Sequence, residues 1–244
     1  EIVAIKCEVL DSPIKMIKQE ATLLNYLHGK NCRNTPFVYY YGIFQDFSVL
    51  VMPFYDCTLQ HYIYTHSTDK EIIALTIKMI GLLEEIHDLG VIHRDIKPEN
   101  FMLKNEELYL IDFGLSTIYV NEDMTPIDPK NESCFIIGTP KFISLHVHNG
   151  KDPSRRDDVI SVMYIYFYMI NGLSLPWENV NHVSDDYEQH HILHPKNVER
   201  KKRKEQFHET TYDDTKEKII FSHLYNIKFQ ERPHYQWIID VLHD

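Results

Sequence analysis

The sequence predicts an α+β chain with two lobes, a small sheet-rich lobe over residues 1–55 and a larger, mainly helical lobe over residues 56–244. Three observations support this fold class. Runs of β-branched and aromatic residues dominate the first part of the chain. Helical periodicity dominates the rest. The 244 residues, of which 43% are hydrophobic and 25% charged, are enough for a globular protein of two lobes.

In the small lobe, residues 2–9 are mostly β-branched and apolar, which predicts a strand. Residues 13–28 carry apolar side chains at helical spacing after an initial proline, which predicts a helix. Residues 37–44 and 47–54 predict two further strands joined by a short turn, followed by a hinge at 53–56. Because the sequence begins inside a strand-like run, we expect the small lobe to be incomplete in this chain.

In the large lobe, residues 70–89 predict a long amphipathic helix, and residues 93–113 predict a loop, a short strand pair and a second loop. Residues 157–170 are apolar on nearly every face, which is typical of a buried central helix. Residues 178–218 are polar and charged and predict loops with some helix. The last 20 residues predict another amphipathic helix.

The bulk composition disfavours several classes of protein. A net charge of −11 argues against nucleic acid as a partner. The longest apolar run, 159–170, is too short to span a bilayer, so we expect no membrane insertion. The four cysteines have no paired spacing and indicate free thiols in a reducing compartment, the cytoplasm, the nucleus or both. The run "HHILH" at 190–194 is either a metal site or a polar loop, and the lack of a second ligand group favours the loop.

Two motifs, "HRDIKPEN" and "DFG", bring acids, a base and an amide close together in the sequence. Asn100 and Asp112 supply hard oxygen ligands of the kind that Mg²⁺ prefers. Asp95 would then be free to accept the proton of a hydroxyl group, and Lys97 would offset negative charge on a transferred phosphoryl group. Each motif alone is weak evidence, but together and in this order they indicate phosphoryl transfer.

A lysine at the end of an apolar strand, Lys6 in "VAIK", needs a partner because an unpaired buried charge is costly. Glu20, midway along the predicted helix, is the natural partner. The pair is either a plain salt bridge or a device that holds the ammonium group so that it can bind phosphate oxygens.

Together these motifs resemble those of eukaryotic protein kinases over essentially the whole chain. The resemblance implies the bilobal protein-kinase fold, with ATP and Mg²⁺ as cofactors and protein serine and threonine hydroxyls as acceptors. It also implies the following roles: Lys6 contacts the α- and β-phosphates, Glu20 orients Lys6, Asp95 is the catalytic base, Lys97 touches the γ-phosphate, Asn100 and Asp112 hold Mg²⁺, Thr139 bridges Asp95 and Lys97, and Asp158 supports the catalytic loop.

Within that superfamily, the stretch from "GTPKF" to "SRRDD" and "SLPW" resembles the casein kinase 1 family, in which "FISLHVH" stands where other kinases carry "APE". The lysine two positions after the catalytic aspartate is the serine/threonine pattern. The glycine-rich loop would lie upstream of Glu1. The resemblance implies an adenine pocket in which Met52 is the gatekeeper, the Pro53 carbonyl and Tyr55 N–H face the adenine edge, and Ala4 and Met102 sandwich the ring.

A basic run, "ERKKRK" at 199–204, stands out against the acidic background. It is a solvated loop, a nuclear localisation signal, or part of a site for anionic groups on the substrate. The casein kinase 1 resemblance favours the third interpretation and implies a preference for acidic or pre-phosphorylated substrates. The predicted anion site consists of Lys141 together with one or two of Lys201, Lys202, Arg203 and Lys204.

Two other functions compete with an active serine/threonine kinase. A pseudokinase would keep the fold as a nucleotide-binding or scaffolding module, but it need not keep all the catalytic side chains that this sequence has. A small-molecule kinase of related fold is disfavoured by "HRDIKPEN" followed by "DFG" and by a full activation segment. The predicted partners are therefore protein substrates, and the predicted state is a monomer.

Overall fold

The computed structural model describes residues 2–65, 68–129, 132–180, 188–210 and 215–243. A sheet-rich part precedes a mainly helical part, which confirms the predicted α+β class. In chain order the strands and helices are β1 Val3–Val9, α1 Met16–Gly29, β2 Tyr40–Phe44, β3 Phe47–Pro53, β4 Cys57–Thr58, α2 Leu59–Thr65, α3 Asp69–Asp88, β5 Val91–Ile92, β6 Phe101–Lys104, β7 Glu107–Leu110, β8 Thr117–Ile118, α4 Leu145–His148, α5 Arg155–Ile170, α6 Pro195–Thr210, α7 Lys216–Asn226 and α8 Tyr235–His243.

The first sheet is antiparallel, with β3 between β1 and β2. Side chains alternate across a strand, so β1 presents Ala4 and Lys6 on one face and Ile5 on the other. Ile5 is exposed, whereas Ala4 and Lys6 are half-buried. The register pairs Ala4 with Met52 of β3. Ala4 and Lys6 of β1 and Met52 of β3 therefore line the same cavity.

Helix α1 packs against the sheet through a stripe that includes Ile17, Ala21 and Leu24, as its periodicity predicts. It begins at Met16, three residues after the predicted start. The reason is that the Glu8 carboxylate of β1 accepts the Met16 N–H at 2.9 Å, which satisfies one of the free donors at the helix start. Glu20, the one buried acid of α1, lies on the face of the helix that packs against the sheet.

The central helix of the larger part is α5, and all its residues except the last are buried. The prediction of a buried helix over 157–170 is therefore confirmed. Its start is polar: Asp157 and Ser154 form a capping box in which the Ser154 N–H donates to the carboxylate at 2.8 Å. Helices α3 and α7 pack against α5. The buried acid Asp158 of α5 lies next to the loop that follows β5 and accepts the His93 N–H.

The prediction of loops with some helix over 178–218 is confirmed for the described residues, and the main helix in this stretch is α6, with 16 residues. The basic run therefore lies on a helix and is not a solvated loop. The buried residues of α6 are Asn197, Lys204 and Phe207. Because the first two are polar, the sequence shows no apolar stripe that would predict this helix. Residues 181–187 and 211–214 of this stretch lie outside the described residues.

The histidine run pairs with the segment before Gly138. The Ile136 N–H donates to the His190 carbonyl and the Ile192 N–H to the Cys134 carbonyl, both at 2.8 Å. In the described part of the chain, no cluster of three or more histidine, cysteine or acidic side chains is arranged to hold a metal ion. Each helix among the described residues is too short or too polar to cross a bilayer.

Candidate active site

The Lys6 ammonium group lies between two carboxylates. Its Nζ is 2.7 Å from Glu20 Oε2 and 2.6 Å from Asp112 Oδ1. Strand β1, helix α1 and the loop after β7 each supply one of the three side chains. The structure thus contains the ion pair that the sequence predicts between Lys6 and Glu20, and it adds a contact to Asp112 that the sequence does not predict.

The pKa values of this trio follow from burial and from mutual attraction. Burial lowers the pKa of Lys6, but the charge of Glu20 and hydrogen bonds to both carboxylates offset this, so the pKa lies above its usual value. Burial also raises the pKa of Asp112, but Lys6 outweighs that effect and holds it below the usual range. Burial dominates at Glu20, whose pKa is raised. The Lys6 and Asp112 side chains are therefore both charged near neutral pH.

Glu20 also connects α1 to the backbone that follows Asp112. Its second carboxylate oxygen, Oε1, accepts the Phe113 N–H at 3.2 Å. Asp112 has left-handed backbone angles, φ 62° and ψ 68°. A side chain at Gly114 would come within 3.0 Å of Met16 Cε, so the helix and this loop approach each other closely. A displacement of α1 would therefore disturb Asp112 as well as Lys6.

A second cluster surrounds Asp95, and each of its carboxylate oxygens has a donor. Oδ1 accepts the Thr139 hydroxyl at 2.7 Å, and Oδ2 accepts Lys97 Nζ at 2.8 Å. Asn100 Nδ2 donates to the Asp95 carbonyl at 2.8 Å and to Oδ2 at 3.2 Å. Thr139 was predicted to bridge Asp95 and Lys97, but in the structure Asp95 is the central residue, and its two carboxylate oxygens bind Thr139 and Lys97 separately. Asp95 is 7% exposed, so these donors hold it at the edge of the protein interior.

The loop that carries Asp95 is fixed from below by Asp158 of α5. One carboxylate oxygen accepts the His93 N–H at 2.7 Å and the His87 imidazole at 3.0 Å. The other accepts the Arg94 N–H at 2.9 Å. Arg94 has a φ of 70°, a left-handed conformation that is unfavourable for a side chain of this kind and needs such support.

Replacing Asp158 with alanine is expected to destabilise the protein by roughly 3 kcal/mol, because two buried backbone N–H groups lose their acceptor. Urea unfolding measures this free energy. The control is Asp240→Ala on α8, where the carboxylate is exposed and binds only Gln236 among the described residues. Its free energy of unfolding should change by less than about 0.5 kcal/mol. Equal losses in the two variants would contradict the support role of Asp158.

A cavity of about 290 Å³ lies between the first sheet and the helical part. Its lining includes all the residues predicted for the adenine pocket and three charged side chains, Lys6, Glu20 and Asp112. Three further lining residues were not predicted, because no sequence pattern marks Pro36, Phe54 or Ile111 as pocket residues. The full lining set is Ala4, Lys6, Glu20, Pro36, Met52, Pro53, Phe54, Tyr55, Met102, Ile111 and Asp112.

The side-chain oxygens of Asp112 and Asn100 are suitable ligands for Mg²⁺. Asp112 offers a carboxylate, and Asn100 directs its amide nitrogen to Asp95, so its amide oxygen remains as an acceptor. These are hard oxygen ligands, and Mg²⁺ bound with a nucleotide takes only a few ligands from the protein. Asp112 and Asn100 are the residues that would hold the ion.

The predicted anion site is wrong at Lys204. This side chain is fully buried, and its amine donates to two backbone carbonyls, so it cannot bind a substrate. Lys141 is partly exposed, but its side chain forms an ion pair with Glu178.

The other three cations of the predicted anion site remain on the accessible side of α6. Lys201 and Arg203 pair with Glu205 at 3.8 Å and Glu199 at 2.7 Å on the same helix. Lys202 is exposed. Lys204 is therefore excluded from the predicted anion site, whereas the combination of Lys141 with one or two of Lys201, Lys202 and Arg203 stays a prediction.

Comparison with known proteins extends the similarity over both parts of the chain. The family model of the protein kinase domain matches residues 1–241. Among curated proteins, the casein kinase I homolog RAG8 of Kluyveromyces lactis is 30% identical over 187 residues, which is 73% of this chain and 34% of that protein. The chain thus spans about a third of the length of this curated relative.

Proposed function

Since the chain belongs to the protein kinase family, we propose that it is a casein kinase 1-like serine/threonine kinase that transfers the γ-phosphoryl group of ATP to protein hydroxyls. One observation carries the proposal. The Asp95 carboxylate is held by Lys97, Thr139 and Asn100, while Lys6 and Asp112 line the adjoining cavity. A scaffolding module has no need of both clusters, so this complete set favours an active enzyme over a pseudokinase.

On this proposal, the cavity binds ATP with its adenine between Ala4 and Met102. Pro53 has no N–H, so it contributes only its carbonyl to the adenine edge. Lys6 binds the α- and β-phosphates, and its raised pKa keeps it positively charged. Because Lys6 contacts Asp112 directly, phosphate oxygens would share its three donors with the two carboxylates.

The transfer step requires the acceptor hydroxyl to approach Asp95. Its carboxylate accepts the hydroxyl proton while the oxygen attacks the γ-phosphorus and the bond to the β-phosphate oxygen breaks. Lys97, held 2.8 Å from Asp95, offsets the charge of the transferred group. When bound at Asn100 and Asp112, Mg²⁺ would neutralise phosphate charge.

The direct test incubates the protein with Mg²⁺ and γ-labelled ATP and with casein as acceptor. We expect label on phosphoserine and phosphothreonine after acid hydrolysis. Label confined to phosphotyrosine would contradict the serine/threonine assignment. Absence of any transfer, with nucleotide still bound, would favour a pseudokinase.

We further propose a preference for acidic or pre-phosphorylated substrates, supported by the similarity to casein kinase 1. Lys141 is the cation nearest to Thr139 in the sequence, and an anionic substrate group would have to displace Glu178 from it. The same assay, run with primed and unprimed versions of one peptide, measures the preference as a ratio of kcat/KM values. A ratio near one would rule the preference out.

A further inference from the structure

Lys204 of α6 is the most deeply buried cationic side chain among the described residues, with no exposed surface. It lies among aromatic rings, with its Nζ 4.9 Å from the ring centre of Tyr164 and 5.4 Å from that of Trp177. A buried lysine is costly unless its donors are all satisfied. Apolar residues of similar size often stabilise a core equally well or better, so stability alone does not account for a lysine here.

The Lys204 amine has three polar neighbours. Nζ donates to the Ile143 carbonyl at 2.6 Å and to the Pro140 carbonyl at 3.0 Å, and it lies 3.2 Å from His148 Nε2. Burial lowers the pKa of Lys204 well below its usual value, and burial together with Lys204 lowers the pKa of His148 in the same way. Lys204 therefore binds the chain at two points that are three residues apart.

Those two points lie in a tight turn, residues 139–143, that begins at the active site. The Thr139 carbonyl accepts the Phe142 N–H at 2.9 Å and the Ile143 N–H at 3.2 Å, which closes the turn. Between the two carbonyls that Lys204 binds, the Lys141 carbonyl accepts Trp177 Nε1 at 2.7 Å. The Pro140, Lys141 and Ile143 carbonyls thus all bind side chains of the larger, helical part.

Opposite these carbonyls, the turn touches the catalytic cluster. The Thr139 hydroxyl donates to Asp95, and a Cβ at Gly138 would collide with the Arg94 carbonyl. Because the Thr139 hydroxyl orients Asp95, a displacement of this turn would reorient the carboxylate that the proposed acceptor hydroxyl approaches.

We propose that Lys204 is a positioning residue for the protein substrate, which fixes the turn from Thr139 to Ile143 through its two carbonyl contacts. The proposal rests on the kinase function proposed above. Lys204 does not touch the substrate or the nucleotide: its amine lies behind the turn. Its loss should therefore affect the use of the acceptor peptide and leave nucleotide binding unchanged.

The test compares Lys204→Met with the wild-type protein in steady-state assays that vary peptide and ATP separately. Methionine keeps a flexible side chain of similar length but removes every donor. We expect kcat/KM for the peptide to fall by about tenfold or more, because small misplacements at a reacting centre are costly. The KM for ATP should stay within about twofold. The matched control is Lys196→Met, a half-buried lysine on the same helix, and it should leave both parameters unchanged.

The outcomes separate this inference from the proposed function. A wild-type protein without transfer activity refutes the kinase proposal itself. An active wild type with unchanged peptide kinetics in Lys204→Met overturns the positioning role. Parallel changes in the KM values for peptide and ATP would indicate general damage to the fold and would also overturn it.

If Lys204→Met does not fold, Lys204→Gln replaces it. Glutamine keeps a polar end group for the buried carbonyls, but its side chain is shorter than that of lysine and cannot reproduce both carbonyl contacts. We expect a smaller change in the same direction, a raised KM for the peptide with an unchanged KM for ATP. A folded Lys204→Gln protein with wild-type peptide kinetics would overturn the positioning role.

Discussion

Replacing Asp112 with asparagine is expected to lower phosphoryl transfer by at least about a hundredfold, since a bound metal contributes several kcal/mol and each 1.36 kcal/mol is a factor of ten in rate. Asparagine keeps the size of the side chain but removes the charge that attracts Mg²⁺. It also removes one of the two carboxylates that contact Lys6 in the wild-type protein. Lys6 retains Glu20 at 2.7 Å, so the lysine itself should stay in place.

Nucleotide binding provides a second measurement that does not depend on turnover. In the wild-type protein, Mg²⁺ should tighten ATP binding relative to binding in the presence of a chelator. In Asp112→Asn most of that gain should be lost, while the affinity in chelator should change little. Asp46→Asn, an exposed position in the turn between β2 and β3, is the control. A variant with the wild-type Mg²⁺ dependence would exclude Asp112 as a metal ligand.

The sequence predicted most of the elements that surround the site, because local patterns specify them. The apolar stripe of α1, the strand pair β6 and β7 and the buried α5 all follow from periodicity. The start of α1 was missed because Glu8, eight residues earlier, provides the acceptor for Met16. That contact depends on how β1 packs beside the helix, and no local pattern records it.

The candidate site shows the same division. Ordered motifs placed Lys6, Asp95 and Asp112 together, and the structure brings each beside its expected neighbours. The interpretation of the basic run failed at Lys204, because a run of like charges indicates exposure only when nothing buries one of its members. Two backbone carbonyls, the His148 ring and two aromatic rings surround this lysine, and they come from sequence positions 27 or more residues away.

Replacing Asp95 with asparagine is expected to reduce the rate of phosphoryl transfer by about 10² to 10⁴, the usual contribution of a general base, while the affinity for ATP with Mg²⁺ stays nearly unchanged. An amide of the same shape cannot accept the proton of the acceptor hydroxyl. Binding of ATP with Mg²⁺ depends on the cavity and on Lys6, Asn100 and Asp112. Of these three residues, Asn100 alone hydrogen-bonds Asp95, and an asparagine at position 95 keeps an oxygen that can accept from it.

The surroundings of Asp95 allow this substitution without a change of structure. Asparagine can keep its oxygen toward Lys97 and Asn100, which both donate to Oδ2. Its amide nitrogen would then face Thr139, whose hydroxyl can accept instead of donate. Each hydrogen bond of the native cluster therefore has a substitute, and we expect the free energy of unfolding to change by less than about 1 kcal/mol.

Three measurements on Asp95→Asn decide the assignment: single-turnover transfer to casein, equilibrium binding of ATP with Mg²⁺, and urea unfolding. Thr139→Val serves as the comparison, because it removes the hydroxyl that orients Asp95 but leaves the carboxylate able to accept a proton. We expect a smaller loss of rate in Thr139→Val than in Asp95→Asn. If Asp95→Asn transfers phosphate at the wild-type rate, Asp95 is not the base; if the variant loses ATP binding in proportion to its loss of rate, its role is in the nucleotide site.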